Sequence, residues 1–124
     1  MNIGEVVRLI GLSEHTLRYY EKVGLLPPIR RDASGNRLFT PEDIRWMEFL
    51  VKLRQTRMPL RQMLHYTGLV RQGDATLAER RAMLEAHERQ VRATIVQMNE
   101  CLGVLQTKLD LYRQWERERE AAAD

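Results

Sequence analysis

Cysteine is almost absent from this 124-residue chain. The single Cys101 excludes an intrachain disulfide framework and any zinc or iron-sulfur site built from several cysteines of one chain. Glycine and proline are also scarce, at seven and four, which disfavours a turn-rich β sandwich. Apolar runs extend only a few residues, far short of the roughly 18 that cross a bilayer. The segment MNIGEVVRLIG lacks a basic region followed by an apolar stretch, so a cytoplasmic location without membrane contact is expected. No glycine-rich phosphate loop and no His-x3-His pair occur, and His15, His65 and His87 have no evident nucleophile or orienting carboxylate. The expectation is a protein that is not an enzyme and takes no cofactor and no metal.

What is present is charge, unevenly spread. Residues 1–70 carry net +4 and residues 71–124 net −1, on a total of +3. A nucleic-acid-binding head followed by a neutral assembly segment gives this distribution; so does an ordinary solvated basic surface.

Apolar spacing divides the first 70 residues into short helices. Ile3, Val6, Val7 and Ile10 recur at helical intervals and stop at Gly11. Ser13 then offers an N-cap oxygen to a second helix, with Leu17, Tyr20 and Val23 on one face and Gly24 at its end. Two such helices joined by a glycine-containing turn make a candidate helix-turn-helix. Ile29 to Phe39 reads as a strand, a turn around Ser34-Gly35-Asn36 and a second strand, a candidate wing. Thr40-Pro41-Glu42-Asp43 starts a third helix that runs to about Arg57, and Pro59 starts a fourth that ends near Gly68. Gly73 lies in the best internal boundary, which separates a head at 1–73 from the C-terminal segment.

Thr76 and Glu79 have capping-box spacing ahead of one long helix over 74–116, with a frayed tail at 117–124. Val91, Ile95, Met98, Leu102, Leu105, Leu109 and Tyr112 alternate in steps of four and three, the seam of a coiled coil. No second long amphipathic segment exists to cover that stripe, so a homodimer is expected, with folding back on the head as the alternative. Cys101 flanks Leu102 and reads either as a packed thiol, slow to react, or as an effector-sensing one.

Leu17-Arg18-Tyr19-Tyr20-Glu21, Gly24-Leu25-Leu26, Pro28, Arg30 and Gly35-Asn36-Arg37-Leu38-Phe39 together resemble the MerR family of bacterial transcription regulators, and the likeness covers the whole chain. The resemblance implies a mainly α fold: a winged helix-turn-helix DNA-binding head plus a long C-terminal dimerisation helix that forms a coiled coil. It also implies a homodimer on palindromic promoter DNA that acts on RNA polymerase indirectly, by distorting an overlong promoter spacer, in a nucleoid-associated location. The chain is most similar overall to the short aldehyde-responsive or thiol-stress subgroup. Lys52 stands where that subgroup carries its third-helix sensing cysteine.

The residues support this use independently. Ser13, His15, Thr16, Arg18 and Tyr19 occupy faces of the second helix that its apolar side leaves free. Arg18 can meet a phosphate, bond a guanine in two places, or pair with Glu14 or Glu21. Tyr20 reads as core. In the hairpin, Arg30, Arg31 and Arg37 flank a projecting turn, and by resemblance Arg37 is the wing residue expected on DNA. Lys52, Arg54, Arg57 and Arg61 form a basic cluster at the turn between the third and fourth helices. An effector-independent architectural DNA-binding protein, a simple repressor and a coiled-coil adaptor are the alternatives.

Overall fold

The structure, a computed structural model, describes residues 1–123. Helix α1 (Ile3–Ile10) opens with a capping box: Asn2 Oδ1 accepts the Glu5 N–H at 2.9 Å and the Glu5 carboxylate accepts the Asn2 N–H at 3.4 Å. Helix α2 (Glu14–Val23) comes next after a short turn, and Ser13 Oγ accepts the Thr16 N–H at 3.1 Å. It ends where Leu25 N–H donates to Tyr20 O at 2.9 Å and Gly24 N–H to Glu21 O at 3.3 Å. That closing pattern needs a left-handed residue, and Gly24 supplies it at φ +92° without the clash a Cβ would bring.

Two short antiparallel strands, β1 (Arg30–Arg31) and β2 (Arg37–Leu38), form the hairpin, with Arg30 opposite Leu38 and Arg31 opposite Arg37. Asp32 organises its turn, because its Oδ1 accepts both the Ser34 and the Asn36 N–H at 2.9 Å. The hairpin end is tied to the chain's first residue: Phe39 N–H donates to Met1 O at 2.8 Å.

Helix α3 (Pro41–Gln55) begins with a reciprocal cap between Thr40 and Asp43. It stops before Arg57, which takes the left-handed position itself at φ +65°; Met58 N–H then donates to Leu53 O at 3.0 Å. Helix α4 (Leu60–Arg71) outlasts the expected end at Gly68, and a short 3-10 turn (Gly73–Thr76) leads into α5 (Leu77–Ala123). A glycine inside a helix costs only about 1 kcal/mol, and Tyr66, Thr67 and Leu69 are buried around Gly68.

All of these elements up to the start of α5 feed one core. Val6 of α1, Leu17 of α2, Leu25 and Leu26 after it, and Met47 and Leu50 of α3 are its most deeply buried members. Phe39 after the hairpin, Met58 between α3 and α4, and Met63 of α4 close it. Tyr20 is buried in it, as its spacing indicated. Trp46 stacks on Tyr66 at 6.0 Å and donates its indole N–H to Leu25 O at 2.8 Å.

Three expectations for the second half need correction. Thr76 is not an exposed N-cap: its buried hydroxyl bonds Leu69 O at 2.6 Å and Gly73 O at 2.9 Å, and it accepts from Arg80 Nε at 3.1 Å. Glu79 faces His65 at 3.8 Å instead of reaching back to the cap. The chain forms two compact units, residues 1–84 and 85–124, so residue 73 falls inside the first; Leu84 packs against the head core. Finally, α5 continues through residues 117–123, where fraying was expected; Glu, Arg and Ala are all strong helix formers. In the second unit Ile95, Met98, Leu102, Leu105, Leu109 and Tyr112 are each at least half exposed, and Val91 is partly covered.

A chain ended after Leu84 should unfold cooperatively in urea. One ended after Gly73 loses the Thr76 hydroxyl bonds and the Leu84 contact, and should be less stable by roughly 2–3 kcal/mol. Equal midpoints for the two would show that the first turns of α5 add nothing to the head.

Candidate nucleic-acid interface

Helix α2 carries four of the expected contact residues and its N-cap a fifth. Ser13 is engaged at the cap, with its Oγ 2.8 Å from Thr16 Oγ1; His15, Arg18 and Tyr19 are exposed and Thr16 is half-buried. Arg18 pairs with Glu14 one turn back, the alternative that the spacing left open. Both side chains are about half exposed, and such a surface pair is worth only about 0–1 kcal/mol, so a phosphate can displace the carboxylate.

The hairpin arginines divide into two kinds. Arg31 remains on the surface, with Nη1 donating to Gly35 O at 2.8 Å across the turn. Arg37, expected to project toward DNA, turns inward: Nε and Nη2 both lie 3.0 Å from Glu21 Oε1, and neither side chain is more than a fifth exposed. The other Glu21 oxygen accepts the Ile29 N–H at 2.9 Å. One carboxylate on α2 therefore holds both the entry and the return strand of the hairpin. Burial pushes the Glu21 pKa up, but the Ile29 N–H, the Arg37 guanidinium and the nearby charge of Arg31 outweigh it and hold the carboxyl below its ordinary value.

A second tie was not foreseen. Arg71, in the last turn of α4, donates Nη2 to Gly24 O at 2.6 Å and lies 3.4 Å from Leu26 O. It caps carbonyls that the end of α2 leaves without helical partners. Both ties join residues far apart in sequence, so no local pattern signals them; in the sequence Glu21 stands in the family-like motif and as a possible partner of Arg18, not of Arg37.

At the turn between α3 and α4, Arg57 is exposed in its left-handed backbone position. Beside it Arg54 Nη1 donates to Tyr20 Oη at 3.2 Å. Between α2 and this turn lies a cavity of about 310 Å³ lined by Thr16, Tyr19, Tyr20, Arg54, Met58, Leu60 and Met63. It brings Thr16 and Tyr19 together with the basic turn, whereas Arg31 and Arg37 belong to the hairpin side. Among the described residues no group of three or more acidic, histidine or cysteine side chains could hold a metal ion, and no helix is long and apolar enough to cross a membrane.

A capped second helix, a hairpin fastened to it and a second helix pair on the same core are the parts of a winged helix-turn-helix. Residues 1–66 match the family model described as MerR HTH family regulatory protein. The chain belongs to the MerR family. It is 44% identical over 90 residues to the HTH-type transcriptional regulator AdhR of Bacillus subtilis, an alignment that covers 73% of this chain and 64% of AdhR. An uncharacterised HTH-type transcriptional regulator of Haemophilus influenzae is 38% identical over 104 residues, covering 84% of this chain and 77% of that one. Among solved structures, HiNmlR, a MerR family regulator lacking the sensor domain and bound to promoter DNA, superposes with a TM-score of 0.84 at 34% identity, covering 91% of this chain and 90% of that one. The MerR-type head and the long C-terminal helix expected from the sequence are thus both present.

The Glu21 clamp sets a pH dependence. A carboxyl whose folded pKa is depressed contributes stability that is complete above its ordinary value of 4.5 and is lost as the pH falls through the lower folded value. Glu21→Gln should therefore cost roughly 1–3 kcal/mol near neutral pH, and the gap between the two proteins should close as acid titrates the wild-type carboxyl. Urea midpoints measured across that range decide it; a constant gap would mean that the pair's charge is irrelevant.

Proposed function

We propose that this MerR-family chain is a cytoplasmic, nucleoid-associated transcription regulator that binds a near-palindromic promoter operator as a homodimer, and that it is not an enzyme. The observation that carries this reading is the exposed polar face of α2, with Arg18 and Tyr19 outward, fixed by Glu21 to a hairpin that presents Arg31. In the major groove that face places Ser13, His15, Thr16, Arg18 and Tyr19 near base edges and phosphates, while Arg31 and Arg57 meet the backbone on either side. Arg37 acts through Glu21, as the residue that positions the wing.

The dimer is proposed from α5. Val91, Ile95, Met98, Leu102, Leu105, Leu109 and Tyr112 form a stripe that one chain leaves largely uncovered, and a second α5 supplies the matching seam. In this reading residues 1–84 are the DNA-binding head and the rest of α5 is the dimerisation segment. Cys101 is exposed on the single chain and flanks Leu102, so dimerisation covers it in part; its role is packing at the seam.

Two heads joined by one dimer seam can bend and untwist the duplex between half-sites. That deformation costs several kcal/mol, and phosphate contacts from both heads offset it. Realigned promoter elements then engage RNA polymerase without a direct protein contact. The HiNmlR complex with promoter DNA supports the partner class.

Arg18→Ala should weaken binding to operator DNA and reduce the slope of log affinity against log salt by about one if Arg18 meets a phosphate. Relaxed sequence preference at an unchanged slope would assign it to a base; no change in either would remove it from the interface. Leu102→Asp should give a monomer by sedimentation and abolish specific operator binding, because a charge cannot be buried in the seam. A dimeric variant with full affinity would overturn the seam.

A further inference from the structure

Three consecutive carbonyls follow the recognition helix, and each is met by a side chain of the second helix pair. Arg71 of α4 donates Nη2 to Gly24 O at 2.6 Å, and the same nitrogen lies 3.4 Å from Leu26 O. Trp46 of α3 donates its indole N–H to Leu25 O at 2.8 Å. The N–H groups of this segment bond back to α2 instead: Leu25 and Leu26 both donate to Tyr20 O, at 2.9 and 3.2 Å. Pro27 and Pro28 come next and have no N–H to give. Residues 24–26 are thus a bracket, bonded to α2 through their N–H groups and to α3 and α4 through their carbonyls. The guanidinium lies against the glycine itself, since a Cβ on Gly24 would meet Arg71 Nη1 at 3.5 Å. Two residues beyond Arg71, Gly73 O accepts from Arg80 Nη2 in the first turn of α5 at 3.0 Å.

We propose that Arg71 is a positioning residue for DNA recognition: it fixes the angle of α2 to the junction of α4 and α5, and so restricts the half-site spacing that a dimer accepts. The residue is not needed to keep the segment folded onto the head. Leu25 and Leu26 are almost completely buried and Trp46 holds its own carbonyl, whereas Arg71 is exposed. What Arg71 adds is direction, because one nitrogen shared between two carbonyls tolerates less rotation of α2 than apolar packing does. Two heads must place their recognition helices in successive major grooves about 34–36 Å apart, so a small turn of α2 within each head changes the spacing that fits. The assignment rests on the proposed homodimer on palindromic DNA and adds the residue that sets its spacing.

The test uses a duplex selected from a randomised pool by the full-length protein, together with versions whose half-sites are moved one base pair closer or farther. Wild type should bind the selected spacing best. Arg71→Ala should lose roughly three- to tenfold of the discrimination between spacings, the effect of about one net hydrogen bond. Arg71→Lys keeps the charge but not the guanidinium's shape, and should fall between the two. The slope of log affinity against log salt should be the same in all three, because Arg71 gives nothing to a phosphate. A slope lower by about one in the Ala variant, restored by Lys, would make Arg71 a DNA contact and overturn the proposal. Equal weakening at every spacing in step with a lowered melting temperature would also overturn it, as that is what a purely structural residue produces. If Arg71→Ala discriminates as wild type does, or wild type is indifferent to spacing, the positioning role is wrong and the DNA reading stands. A pool that yields no bound sequence removes the DNA reading, and the positioning role with it.

Discussion

One carboxylate, Glu21, ties the hairpin directly to the recognition helix, through Ile29 N–H and the Arg37 guanidinium. The hairpin has only two residues per strand, too few to hold itself. Its attachment comes from outside: Ile29 N–H and Arg37 on one carboxylate, and Phe39 N–H on Met1 O. The Ile29 and Phe39 side chains anchor its two ends in the core. If a wing is to meet a phosphate at a fixed distance from a helix in the major groove, that distance has to be set inside the protein, because DNA contacts alone are too soft to impose it. The Glu21 pair draws Arg37 inward, while Arg31, its neighbour across the ladder, bonds Gly35 O on the surface.

The far end of α2 is constrained as well. Gly24 leaves a carbonyl without a helical partner, and Arg71 of α4 fills that need from 47 positions along the chain. Next to Arg71 is the 3-10 turn, whose Gly73 O accepts from Arg80 Nη2 at 3.0 Å and whose Thr76 hydroxyl accepts from Arg80 Nε. The recognition helix, the end of α4 and the first turn of α5 are therefore joined by side-chain bonds to backbone carbonyls, in addition to packing. Bonds of this kind hold an orientation more narrowly than apolar contacts do, since they fail with angle as well as distance.

Local chemistry was legible in the sequence, and long-range chemistry was not. Ser13, Thr40 and Pro41 announce helix starts through a cap oxygen or a preset φ, and Gly24 announces an end; each works within four residues, and α2 and α3 begin, and α2 ends, where these signals put them. Leu17, Tyr20 and Val23 give a face by spacing alone. The failures share a cause. Arg37 looks like any exposed hairpin arginine until Glu21 is brought beside it, and Thr76 looks like an N-cap until the carbonyls of Leu69 and Gly73 close over its hydroxyl. Arg57 deceives in a different way, because the left-handed end of α3 falls on a residue whose type gives no sign of it. The Tyr20 and Arg54 pair spans 34 positions and joins a residue assigned to the core with one assigned to the surface.

The division of the chain into two units arises from where apolar side chains find partners. In residues 1–84 the large apolar side chains mostly converge on one core, and the polar groups among them are tied by the Glu21, Arg71 and Thr76 bonds. In residues 85–123 a single helix carries an apolar stripe that is exposed on the single chain. An isolated helix draws little stability from propensity, so a segment of this composition gains most of its order by association. A single head offers few phosphate contacts, so the electrostatic part of its affinity is small. Joining two heads makes the second binding event intramolecular, which raises affinity and selects for paired half-sites at a fixed spacing. The exposed stripe and the small basic head are thus complementary deficiencies: the helix lacks a partner, the head lacks sufficient contacts, and in the proposed homodimer a second copy of the same chain supplies both.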